Sequence, residues 1–379
     1  MGFDLARTAV IAASRALAEI SEPPVLACVF VRAANPDDVA SALAAAQRTI
    51  GARHSIGCSS SHGVIGGGHG IEDVSAVSVF VAAGDELTVR SFHLEVMPTP
   101  ESIAVVGTPD VESGDQVAIV LADAYSFPVE GFVEQSAESL AGLSIAGGVA
   151  LGGQGSGSTR LLIDDRVVER GAVGLMIGGT APIRALVSQG CRPVGNPMTV
   201  THCEGNVILE LAGRPALQRL EDLLLALSPE DQALAGTGLQ IGVVHDEYAD
   251  HHDQGDFLVR SLVRIDSDLR ALVVADDVQV GQTVSFQLRD AAAASNDLQT
   301  TLAAWGRRPS QRPPAGALLF SCSGRGERFF STSDHDATTV RDELGGAEVA
   351  GYFAAGEIGP VAGRNHLHGF SASVVVFGS

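Results

Sequence analysis

The stretch FSCSGRG at 320–326 puts a thiol, a hydroxyl, a guanidinium and a run of backbone amides within reach of one turn. Glycine lets successive N–H groups turn inward as an anion nest, and an arginine offers a planar two-pronged fork for a carboxylate. Cys322, Ser323, Gly324, Arg325 and Gly326 are therefore candidate ligand contacts, presented on a turn. A second stretch, GEIGPVAGRNHLHG at 356–369, sets Glu357 beside Gly356 and follows it within one loop with Arg364, Asn365 and His368. A carboxylate there can hold a ligand's ammonium, and an amide adds donor and acceptor capacity. Together the two stretches read as a two-ended clamp for an amino acid or a related carboxylate. The plainer alternative makes the first a tight strand-to-helix turn with Arg325 paired to an internal acid, and ties Glu357 into a buried ion pair.

Thiol chemistry is the other option. As a nucleophile Cys322 needs a lowered pKa, a base and a group that orients the base. His368 or His366, with Glu357 as orienter, supply those types, and the result is a cysteine-dependent enzyme acting on a small amide or ester. A thiol that merely lines a pocket is the commoner outcome, because cysteine buries readily as a small apolar residue. In the N-terminal half, Gly57, Cys58 and Ser59 of GCSSSHG, and Gly147 and Gly148 of LSIAGGVALGG, are secondary candidates. No GxxxxGK[ST] string occurs and GGGHG fits GxGxxG poorly, which speaks against nucleotide binding. HDEYADHHDQGD at 245–256 gathers His245, Asp246, Glu247, His251, His252 and Asp253, but matches no metal spacing and reads as a solvated acidic loop. Neither a metal nor a cofactor is expected.

The chain of 379 residues is long enough for two domains with real cores, and 24 basic against 45 acidic residues give a net charge of -21. That charge repels phosphate backbones and anionic membranes, so nucleic acid is excluded as a partner, while a local basic pocket could still hold a small anion. The cysteines Cys28, Cys58, Cys191, Cys203 and Cys322 form an odd set without CxxC spacing, as in a reduced, cytoplasmic protein. The opening MGFDLARTAVIAASRALAEI has too short and too weakly apolar an uncharged run for a signal peptide or a spanning helix, so no membrane insertion is expected.

These candidates need elements to position them. VLACVFV at 25–31 reads as a buried strand, and NPDDVASALAAAQRTIG as a helix capped by Asn35 and stopped by Gly51. DQVAIVLADAYSFP at 115–128 reads as a strand ending in a polar turn, with a helix after it. The glycine segments at 57–70 and 143–158 each precede paired strands. This order resembles an internal duplication in the N-terminal half, and equally glycine-rich turns recurring in a glycine-rich chain. RPALQRLEDLLLALSPED at 214–231 reads as one amphipathic helix at a domain transition, strands follow over 256–290, then a helix, and GALLFSC and SASVVVF close the chain as strands. The class is α/β to α+β in two domains, with the boundary near 205–235.

The order of these pieces resembles the FIST family over nearly the whole chain. PAGALLFSCSGRGERFF and GYFAAGEIGPVAGRNHLHGFSASVVVF carry the resemblance most specifically, joining a small-residue SC loop to a GEIGP turn and an H-G-F strand. FLVRSLVRID, VQVGQTVSFQLRDAAAASNDL, IGCSSSHGVIGGG and LADAYSFPVEGF are also similar to the family's segments. DAYSFP departs from the DPF-like turn of the family, and no role is carried onto Asp123. The resemblance implies an N-terminal domain over 1–215 and a C-terminal domain over 216–379, with mixed sheets flanked by helices. It also implies a sensory, signal-transduction role with a small-molecule ligand and a signalling protein as partner, and no reaction. An interaction scaffold without ligand is the remaining alternative.

Overall fold

Asn35 starts the helix Pro36–Ile50 by accepting the Asp37 N–H at 2.9 Å, Pro36 supplies the first helical φ, and Gly51 ends it at φ 64°. This level of detail comes from a computed structural model, which describes residues 4–99, 102–245, 247, 257–306 and 314–378. The Pro36–Ile50 helix connects two parallel strands, Pro24–Arg32 and His54–Ser59, with Phe30 abreast of Cys58. The same strand–helix–parallel strand unit recurs in Asp115–Asp123, Val129–Ser139 and Ser144–Ala150. It recurs again near the C-terminus, where Gly316–Cys322 runs parallel to Glu348–Ala354 and the helix His335–Glu343 lies between them in sequence. Continuous apolar runs form these strands because both faces of a parallel sheet are covered.

The C-terminal strands complete sheets begun by the N-terminal ones. Glu348–Ala354 pairs with Gly63–Gly66, and the strand Glu357–Val361 pairs with Ser144–Ala150. Phe30, Phe320 and Tyr352 then pack ring against ring, with centroids 5.3 Å apart for Phe30–Tyr352 and 5.7 Å for Phe320–Tyr352. In space, one compact unit takes residues 1–188, 298–367 and 371–379, the other 189–297 and 368–370. The strands from the third strand–helix–strand unit have hydrogen-bonding edges waiting for them in the first 188 residues, which draws the C-terminal segment back.

The second unit is built on a seven-stranded sheet that includes Cys191–Glu204, Leu239–Val244, Phe257–Asp266 and Thr283–Arg289. The single helix expected over 214–231 is two, Ala216–Ala226 and Pro229–Gly238. Ser228 caps the second through the Asp231 N–H at 3.1 Å, and Pro229, lacking an N–H, cannot continue the first. The architecture is α+β. Of the acidic stretch 245–256 only His245 and Glu247 fall among the described residues, where Glu247 accepts the Thr283 N–H at 2.7 Å. Among the described residues no helix is long and apolar enough to cross a membrane.

Candidate functional site

Within the first unit, the carboxyl ends of parallel strands from all three strand–helix–strand units meet. In open α/β sheets this is where ligands gather. Cys322 ends Gly316–Cys322 abreast of Ala354, Cys58 lies at the end of His54–Ser59, and Gly148 pairs with Glu357, the first residue of the strand after Gly356. Tyr352 joins them from the strand Glu348–Ala354: its hydroxyl oxygen lies 2.9 Å from where a side chain on Gly148 would begin, with Gly356 O at 3.0 Å from the same point. Only glycine fits at 148.

Cys322 is not presented on an exposed turn: it is 8% exposed, and the chain continues into a single turn of 3-10 helix, Ser323–Arg325, and the short helix Glu327–Phe330. The Cys322 sulfur accepts the Gly324 N–H at 3.4 Å. Arg325 is fully buried, and the fork expected to be open to a ligand closes on Asp336. Its Nε donates to Asp336 Oδ2 at 2.8 Å and its Nη2 to Oδ1 at 3.0 Å. Ser321 donates to the same carboxylate at 2.7 Å, and the Phe330 ring lies under the guanidinium at 5.2 Å. Burial favours the neutral form of both partners, but their mutual attraction and the hydrogen bonds outweigh it, holding Asp336 well below the usual carboxylate range and Arg325 above its own. Gly326 lies against Glu72, which accepts the Glu327 N–H at 2.9 Å.

Glu357 is buried completely, and its Oε2 accepts both the Ser371 N–H at 3.1 Å and the Ser371 hydroxyl at 2.9 Å. The Cys322 thiol is a further hydrogen-bonding neighbour of this carboxyl. Burial pushes its pKa up to about 8, against the pull of Ser371, Cys322 and Arg325, which favours the neutral carboxyl at pH 7. Burial likewise raises the Tyr352 hydroxyl and the Cys58 thiol beside it. Among the described residues, no partner meets hydrogen-bond geometry at Arg325 Nη1, Tyr352 Oη or Glu357 Oε1.

The remaining candidates serve the frame. GEIGPVAGRNHLHG is a hairpin of the strands Glu357–Val361 and Arg364–His368, turned by Ala362 at φ 48° and Gly363 at φ 77°. Asn365 donates to Ser136 Oγ at 3.1 Å and Leu143 O at 2.9 Å and accepts the Ile145 N–H at 2.8 Å, so its amide is spent on holding neighbouring strands and a helix. Arg364 is exposed. His368 is buried and falls in the second unit, whereas the acid beside Cys322 in the first is Glu357. Gly57 and Gly147 allow close strand approach: side chains there would begin 2.3 Å from Val29 O and 2.0 Å from Val120 O. Ser59 accepts the Arg160 N–H at 2.9 Å, and Ser323 is half-buried. Tyr352 and Asp336 carried no signal of a site: the first stands in an apolar run, the second in the polar STSDHDATT.

A two-unit α+β chain with a buried polar centre at its strand ends is the class that the fold defines. Residues 25–214 match the FIST N domain and residues 216–360 the FIST C domain, and the chain belongs to the FIST family. FIST domains are associated with the sensing of small ligands in signal transduction. An uncharacterized protein of Mycobacterium tuberculosis (strain ATCC 25618 / H37Rv) is 42% identical over 376 residues, covering 99% of this chain and 97% of its own. An uncharacterized protein of Mycobacterium bovis (strain ATCC BAA-935 / AF2122/97) is 42% identical over 378 residues, covering 99% of this chain and 96% of its own.

Proposed function

We propose that the protein is a sensory module whose small ligand docks at the buried polar centre of Cys322, Arg325, Tyr352 and Glu357. The observation that carries this reading is the set of three polar atoms, Arg325 Nη1, Tyr352 Oη and Glu357 Oε1, that make no hydrogen bond of good geometry in side chains no more than 2% exposed, with only the Cys58 and Cys322 thiols as further neighbours of the tyrosine and the acid. Buried polar groups are ordinarily satisfied, and leaving one unpaired costs about 1–3 kcal/mol. All three can donate, the acid because it is protonated, and three donors suit the oxygens of a small carboxylate such as an amino acid or its derivative. The void of about 10 Å³ that touches Arg325 is lined also by Glu72, Asp334 and Asp336 and by none of Cys322, Tyr352 and Glu357, so a ligand enters the centre by displacing the cover of residues 323–330. The setting is the reducing cytoplasm, consistent with five cysteines outside any disulfide, and a signalling protein reads the displaced cover.

A thermal-shift screen against amino acids and small carboxylates tests the site, because a ligand that binds the folded state raises its apparent stability by mass action. The expected hit is lost in Glu357→Gln and in Tyr352→Phe, both nearly unchanged in shape. Stabilisation that survives both substitutions moves the ligand elsewhere.

A further inference from the structure

The strand Ala76–Ala83 ends its five-stranded sheet: it pairs with Pro24–Arg32 on one side and, among the described residues, with no strand on the other. Its sequence, AVSVFVAA, runs for eight residues without a charge or a proline. Folds ordinarily blunt such an edge with charges, prolines or a covering loop, because its unpaired N–H and C=O groups are a template for another chain.

A cavity of about 740 Å³ borders this strand, and five consecutive residues of it, Val79 to Ala83, line that space. Successive side chains of a strand point to opposite faces, so a consecutive run along one cavity means that the cavity meets the strand at its edge. The Phe80 and Phe377 rings, with centroids 5.2 Å apart, and Ile20 and Leu87 make its walls apolar. The rim is acidic. Glu19 and Glu22 follow the helix Leu5–Ala18, Asp85 and Glu86 form the turn after the strand, Glu348 begins Glu348–Ala354, and all five are exposed. Among the described residues, no arginine or histidine borders the cavity and none of these five acids has an ion-pair partner.

Charge decides the occupant. Pairing with a second copy would set these five carboxylates against the same five, on chains that each carry a net charge of -21. A small carboxylate is repelled as well, and none of Cys322, Arg325, Tyr352 and Glu357 lines this cavity, so the site does not rest on the ligand reading above. We propose that the free edge of Ala76–Ala83 is a docking site for an extended, basic segment of a partner protein, which joins the sheet as an added strand. Main-chain hydrogen bonds to the edge supply affinity, alternate apolar side chains rest against Phe80 and Phe377, and the arginines or lysines between them meet the rim.

The test measures, by fluorescence anisotropy on the full chain, the binding of three labelled, end-blocked peptides. One alternates arginine and valine, one carries glutamate for each arginine, and one keeps the arginine sequence with every peptide nitrogen methylated. The first is expected to bind at low salt at least about tenfold more tightly than either of the others, and to weaken as salt is raised. The triple change Glu19→Gln, Glu22→Gln, Glu348→Gln, confined to exposed side chains, is expected to weaken it at least about tenfold. Hydrogen–deuterium exchange of the complex is expected to show new protection in 76–83. Equal binding of the glutamate peptide, or an unchanged affinity in the triple variant, overturns the proposal. Undiminished binding of the methylated peptide overturns it too, since a cation is then captured without strand addition. Protection elsewhere, or sedimentation showing that the chain pairs with its own copy through 76–83, does the same. No carboxylate ligand takes part, so failure here leaves the ligand-binding reading to stand or fall on its own screen.

Discussion

Glu357→Gln gives the sharpest stability prediction, because a buried acid that stays protonated makes folding depend on pH in a known direction. The ordinary carboxyl value is 4.5 and burial raises it to about 8 in the folded chain. Above 4.5 the unfolded chain releases this proton while the folded chain keeps it up to about 8, so the folded state binds more protons throughout that window. The stability tied to this group is fully present below the unfolded value and is lost as the pH rises through the folded one. Each unit of difference corresponds to about 1.4 kcal/mol, and the gap of roughly 3.5 units amounts to about 5 kcal/mol as an upper bound. Glutamine keeps the shape and does not titrate. Urea unfolding of both proteins at half-unit steps from pH 5 to 9 should show the wild type losing stability relative to Glu357→Gln by about 1.4 kcal/mol per unit, levelling above pH 8. Taking the difference between the two proteins removes every other titrating group. Two stability curves that stay parallel across this range would refute a protonated Glu357 and, with it, the neutral character of the centre.

Other substitutions probe the frame. Arg325→Ala strands Asp336 as a buried charge and should cost about 3–5 kcal/mol by denaturant unfolding, whereas the double change Arg325→Met, Asp336→Leu should cost clearly less. Gly148→Ala places a methyl 2.8 Å from Ala354 Cβ and 2.9 Å from the Tyr352 hydroxyl, and should lower stability by about 1–3 kcal/mol in the same assay. Ser228→Ala removes the cap of Pro229–Gly238 and should cost the second unit about 1 kcal/mol, read from its urea midpoint.

The strands and first helices were legible because their signals are local. Asn35, Pro36 and Gly51 bracket one helix by themselves, and ALLFSC cannot avoid being a buried strand. Ser228-Pro229 was a local signal too, a cap followed by a first-turn proline, and the leucine pattern across it masked the break. What sequence spacing cannot supply is a partner. Arg325 on a glycine turn reads as an open fork because Asp336, 11 residues on, announces nothing until the helix His335–Glu343 turns it inward. Tyr352 stands beside Cys58, 294 residues earlier in the chain, and an apolar run such as AGYFA gives no hint that its hydroxyl has a use. The association of Cys322 with Glu357 was visible as two nearby stretches, but their roles changed on burial: an expected anionic clamp end became a neutral acid.

In the proposed reading, the sensed ligand occupies the centre at the strand ends. Hydrogen–deuterium exchange of the full chain, with and without the strongest carboxylate from the thermal screen, tests it most directly. Ligand-induced protection is expected to concentrate in 320–330, 352–358 and the facing backbone at 57–60 and 147–150. Protection confined to another cavity of the first unit, such as that of about 740 Å³ bordered by Ile20, Phe80 and Glu348, would contradict it.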